Sequence, residues 1–102
     1  MEMIKAQENV DKQIQNFGGY WTELSMLARL VEEVGELSRT MNIKFGQKKS
    51  KFEGDGGELK EELADVLYTV IALANKLEIN LDEELTKKIG KSSQRDEGIY
   101  AK

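Results

Sequence analysis

The sequence predicts an all-α bundle of about four helices, with two long central antiparallel helices. Three observations carry this expectation. The 102 residues include no proline, and the nine glycines fall in groups. Between the groups Glu, Leu, Ala, Lys and Met dominate, all good helix formers. Apolar residues recur at three- and four-residue intervals, the period of a helix face.

The first helix is expected over about Met3 to Phe17, with Ile4, Val10, Ile14 and Phe17 at helical spacing. Gly18-Gly19 breaks it. The second starts near Thr22, an N-cap residue with Glu23 and Ser25 in the first turn, and runs to about Phe45, with Gly46 as its stop. The third follows the Asp55-Gly56-Gly57 turn and ends near Leu77. A fourth, shorter helix starts at about Asp82, with Asp82, Glu83 and Glu84 in its first turn and Lys87, Lys88 and Lys91 near its end, as the helix dipole favours. From about Ser92 the chain reads as a flexible tail or a flap over a site. The whole reads as a single domain, 1–102, whose apolar stripes are too wide for one chain to cover, so a second copy is expected to complete the core.

Composition excludes several functions. The formal net charge is −4, from 19 acids and 15 bases, which argues against nucleic-acid binding. Without cysteine or histidine there is no disulfide framework, no usual structural zinc site and no His-based catalysis. The strong metal ligands left are carboxylates, which suit Mg²⁺, Mn²⁺ or Ca²⁺. No run is apolar enough for a signal peptide or a membrane span, so a cytoplasmic protein without membrane contact is the expectation.

On a helical wheel the second helix carries an apolar stripe of Leu27, Leu30, Val31, Val34, Leu37, Met41 and Phe45. Glu33 falls just outside one edge, Glu36 a step further and Glu32 beyond. The third helix repeats the pattern. Leu59, Leu63, Val66, Leu67, Val70, Leu73, Ala74 and Leu77 form the stripe, Glu62 borders it and Asp65 lies one step out. Each helix thus holds an acidic pair at i and i+3 on the same flank, where the two side chains are neighbours. Antiparallel packing would bring the pairs together, and a divalent cation would relieve their repulsion. The competing reading is a solvated face on a non-catalytic dimerisation module. A ferritin-like di-iron site is excluded, because it needs Glu-x-x-His motifs.

Glu32-Glu33-Val34-Gly35-Glu36-Leu37 followed by Glu61-Glu62-Leu63-Ala64-Asp65-Val66-Leu67 resembles the Glu-Glu-x-x-Glu and Glu-x-x-Asp signature of the MazG-like, all-α nucleoside triphosphate pyrophosphohydrolases. The resemblance runs from about Trp21 to Arg95. It implies a Mg²⁺ cofactor, with Mn²⁺ as a substitute, and a homodimer or homotetramer. It also implies cleavage of a nucleoside triphosphate between the α- and β-phosphates, as nucleotide-pool house-cleaning. Glu33, Glu36, Glu62 and Asp65 then correspond to metal ligands. Glu32, with Glu33, falls on the catalytic side, as a ligand or as the group that orients or deprotonates water. A related enzyme acting on phosphoribosyl-ATP is the alternative within the fold. Relatives also carry a Lys, an Asn and a basic residue beyond the fourth helix, matched here by Lys88, Ser92 and Arg95, with Ser in place of Asn.

The chemistry is physically reasonable, since phosphoryl transfer is mostly positioning and charge stabilisation. Lys88, Lys91 and Arg95 could hold the outgoing pyrophosphate. Trp21 and Tyr20 could stack on a base, although stapling the loop onto the core is the commoner use of such a pair. Phe17 and Asn16 are weaker base contacts, drawn from the resemblance. Lys48, Lys49 and Lys51 read as a solvated loop or a basic lid. Gly35, inside a helix, implies a close helix approach or room for a ligand.

Overall fold

The structure, a computed structural model, describes residues 2–46 and 58–100, with side chains as far as residue 91. It consists of α1 (Met3–Asn16), α2 (Glu23–Phe45), α3 (Leu59–Lys76) and α4 (Leu81–Tyr100), with no strand among the described residues. The expected loop lysines Lys48, Lys49 and Lys51, and the Asp55-Gly56-Gly57 turn, lie outside the described residues.

Local chemistry sets the helix ends. Gly18 and Gly19 have φ of 110° and 103°, a region that disfavours side chains, and Gly19 N donates to Ile14 O at 2.9 Å. The chain therefore turns out of α1 and delivers Tyr20 and Trp21 to the start of α2. Thr22 Oγ1 accepts from Ser25 N at 3.2 Å, the expected N-cap. After α3, Glu78 takes φ 57°, and Ile79 N donates to Ala74 O at 2.8 Å, which closes the helix in the left-handed manner. Asn80 Oδ1 then accepts from Glu83 N at 3.2 Å and caps α4.

The fourth helix corrects one expectation. It is 20 residues long and runs through the supposed tail to Tyr100. Lys87, Lys88 and Lys91 therefore sit in its middle. No proline follows Lys91, and a single glycine, Gly98, lowers helix propensity without ending the helix.

Helices α2 and α3 pack antiparallel. Lys76 Nζ lies 3.9 Å from Glu23 at one end, and Thr40 Oγ1 donates to Glu62 at 2.8 Å towards the other. Helix α1 lies on α3. Gln7, buried, donates through Nε2 to Asn75 Oδ1 and Ile79 O and accepts from Leu81 N, so one amide ties α1 to both sides of the α3–α4 turn. Asp82 Oδ2 accepts from Ile4 N at 2.8 Å, which joins the first turn of α4 to that of α1. The core is small: Val10, Met26, Ile71 and Ala72, flanked by Ile14, Tyr20 and Leu73.

The apolar stripe of α2 is not what packs on α3. The buried positions are Met26, Glu33 and Thr40, seven apart, the spacing of a helix–helix seam. Leu30 and Leu37 are half-buried beside them. Leu27, Val31, Val34, Met41 and Phe45 are exposed, and so are Leu63, Leu67 and Leu77 of α3. One neighbouring helix covers only part of so broad a stripe, and α2 turns its acid-bearing edge inward. No described helix is long and apolar enough to cross a bilayer.

Candidate active site

A cleft of about 530 Å³ opens where the end of α1, the double-glycine turn and the middles of α2 and α3 meet. Its size suits a small-molecule ligand. Phe17, Trp21, Arg29, Glu33, Asp65 and Tyr68 line it.

Glu33 is the centre of the acidic set. It occupies the α2 seam between Met26 and Thr40 and is only 3% exposed. A buried carboxylate needs a counter-charge. Arg29, one turn earlier on the same helix, supplies it, with Nη2 2.6 Å from Glu33 Oε1. Its other nitrogen stands 3.7 Å from Glu32. Burial pushes the Glu33 carboxyl above the usual range. Arg29 opposes that shift, while Glu36, Asp65 and Glu32 add to it. Asp65, on the facing helix, is thus close enough to act on Glu33.

Glu62 is half-buried in the facing helix. Its Oε1 accepts from Thr40 Oγ1 at 2.8 Å. Its Oε2 is buried and has no hydrogen-bond partner. An orphaned carboxylate oxygen is costly unless something neutralises it. A hard divalent cation is a fitting occupant for a bare carboxylate oxygen, because such ions take oxygen ligands. Glu32, Glu36 and Asp65 are exposed. Among the described residues no three acids converge tightly enough to enclose an ion as their side chains stand. Arg29 engages Glu33, and Thr40 engages Glu62.

The aromatic pair divides its roles. Tyr20 staples the loop: it packs on the core, and its hydroxyl donates to Asp11 Oδ1 at 2.5 Å. Burial and that bond push its pKa up to about 12. Trp21 instead stays 62% exposed at the cleft, which the still more exposed Phe17 also lines. Asn16 is exposed and does not line the cleft.

Lys88 and Lys91 are exposed on α4 and also do not line the cleft. The reason is the packing: α4 starts beside the first turn of α1, whereas the cleft lies at the last. The side chains of Ser92 and Arg95 lie outside the described residues. Gly35 is exposed, and a Cβ there would meet nothing within 4 Å, so no close helix approach explains it. Sequence reasoning missed Arg29, Thr40 and Tyr68. The first two had a signal: Arg29 precedes Glu33 by one helical turn, and Thr40 follows it by one seam repeat. Tyr68, which donates to Gln13 Oε1 at 2.5 Å, carried none.

Known proteins share this arrangement. YpjD of Bacillus subtilis (strain 168) is 41% identical over 101 residues, covering 98% of this chain and 91% of its own. The crystal structure of YpjD superposes with a TM-score of 0.80 at 40% identity, over 89% of this chain and 94% of that one. A Bacillus-conserved MazG protein, described as a nucleotide pyrophosphohydrolase, gives 0.76 at 38% identity, over 89% and 88%. The iMazG protein of Vibrio DAT 722 gives 0.68 at 29%, over 93% and 97%. The profile of the MazG nucleotide pyrophosphohydrolase domain matches residues 21–100. That span runs from Trp21 at the mouth of the cleft through both acidic pairs to the end of α4, and so the chain is an enzyme that belongs to the MazG nucleotide pyrophosphohydrolase family.

Proposed function

We propose that this enzyme hydrolyses a nucleoside triphosphate at the α–β anhydride, giving a monophosphate and pyrophosphate, with Mg²⁺ (or Mn²⁺ in its place) held by Glu33, Glu36, Glu62 and Asp65. The observation that supports this most is the orphaned, buried Oε2 of Glu62, on the helix facing the buried Glu33, which itself lines an aromatic-rimmed cleft. When bound, the cation neutralises charge on the phosphates and acidifies a water.

The chain's own residues do the rest. Trp21 and Phe17 offer exposed ring faces at the cleft, on which a base can stack. Glu32, exposed one residue from Glu33, orients the attacking water or takes its proton. The water oxygen bonds to phosphorus, the α–β bridging P–O bond breaks, and pyrophosphate leaves with the electron pair. Lys88 and Lys91 lie away from the cleft of their own chain, whereas Arg29 is the cation among the described lining residues. Arg29 is therefore the better placed of these to meet a phosphate. The exposed apolar flank of α2 and α3 supports a homodimer or homotetramer, in which a second copy covers it.

The test is hydrolysis of a panel of ribo- and deoxyribonucleoside triphosphates and phosphoribosyl-ATP, with Mg²⁺ and with chelator. Mg²⁺-dependent pyrophosphate and monophosphate are expected. Orthophosphate with diphosphate would overturn the bond assignment. Turnover of phosphoribosyl-ATP alone would move the substrate to that compound.

A further inference from the structure

Thr40 is 1% exposed, less than any other described side chain in the core or seam. Valine would fill the same volume between α2 and α3 without a polar atom, so the hydroxyl needs a reason. That hydroxyl crosses the helix interface and donates to Glu62 Oε1 at 2.8 Å. The second oxygen of the same carboxylate, Oε2, is buried and has no hydrogen-bond partner. A purely structural pairing would be expected to satisfy both oxygens of a buried carboxylate, because each bare one costs stability. Fixing one oxygen and leaving the other bare is instead how outer partners orient a ligating carboxylate.

We propose that Thr40 is a positioning residue: its hydroxyl holds Glu62 in the orientation that presents Oε2 to the divalent cation. This rests on the cation site proposed above, and Thr40 itself touches neither cation nor substrate. It also gives a meaning to the seven-residue seam of α2. Glu33 contributes a carboxylate directly, and one repeat later Thr40 steers the carboxylate contributed by α3.

The test is calorimetric titration of the chelator-treated protein with Mn²⁺ and Mg²⁺, with a melting curve of each metal-free variant. Thr40→Val removes the hydroxyl and keeps the volume. It is expected to melt near the wild type but to bind the cation about 10- to 100-fold more weakly, the usual effect of losing such a partner. Thr40→Ser keeps the hydroxyl and is expected to restore the affinity. Wild-type affinity in a folded Thr40→Val protein would overturn the proposal. If that variant does not fold, Thr40→Ser and Thr40→Ala decide, because they differ only in the hydroxyl. Equal affinities for those two would overturn the proposal as well. Failure of the wild type to bind either cation is a separate result. It would sink the cation site, and the role of Thr40 with it.

Discussion

The seam and the outer flank of the α2–α3 hairpin differ in a way their composition does not foretell. In the seam, a carboxylate and a hydroxyl, Glu33 and Thr40, lie at 3% and 1% exposure. On the outer flank Val31, Phe45 and Leu63 are more than half exposed. Burial ordinarily follows hydrophobicity, because removing apolar surface from water drives folding. Here two polar groups share the interior with a small apolar core while much of the apolar stripe faces out. The exposed apolar surface calls for a partner, and a second copy of the chain is the one proposed.

The largest expected effect tests the acid-bearing flank. Glu36→Ala should lower kcat/KM for triphosphate hydrolysis by about 10³-fold or more, since a metal supplies several kcal/mol to the transition state. Full activity in that variant would return the acids to the role of a solvated face.

The apolar flank can be broken in the same way. Leu67→Asp places a charge on it and should split the oligomer, because burying an unpaired charge at an interface costs several kcal/mol. Light scattering reads the mass directly. A wild type that is already monomeric would leave the exposed flank without its proposed cover.

A paired truncation then sharpens the contrast. Ile71→Ala, in the core, should cost about 2–5 kcal/mol in denaturant unfolding. Val31→Ala should stay within about 0.5 kcal/mol in a monomer. A clear loss at Val31 that grows with protein concentration would place this residue in the interface.

Glu33 provides a pH test. Its folded pKa is raised, chiefly by burial, so the folded state prefers the neutral acid. This contribution to metal-free stability is present below the ordinary carboxyl pKa and is lost as pH rises through the raised value. In chelator, Glu33→Gln should therefore flatten the fall in melting temperature across the mildly acidic range. A wild type whose melting temperature rises there would show that Arg29 outweighs burial.

The smallest effect is at Gly35. Alanine there meets no atom within 4 Å, so it should stabilise the helix by about 1 kcal/mol. If hydrolysis falls while stability rises, the space beside Gly35 serves a bound molecule.

Much of this molecule was legible in its residues. Thr22, Gly18-Gly19 and Gly46 marked helix ends, because capping and positive φ are local requirements that only a few side chains meet. The two acidic pairs were legible for the same reason, since their spacing follows from one helical repeat. Antiparallel packing puts the two helices that carry them side by side.

What the tertiary structure decided was orientation. A helical wheel ranks faces by hydrophobicity, but it cannot tell which part of a broad apolar stripe a neighbouring helix will cover. The seam passed through Glu33 and Thr40, and Leu27, Val31, Val34, Met41 and Phe45 stayed outside. Lys88 and Lys91 had the right charge for a phosphate, yet the packing of α4 beside the first turn of α1 put them away from the cleft. Arg29 and Thr40 gained their importance from partners buried beside or across from them. The sequence by itself determined that the chain is helical, where most helices begin and which acids are candidates for the chemistry, because those depend on neighbours along the chain. Only the packing of the helices decided which of those groups meet, because that depends on which surfaces exclude water together.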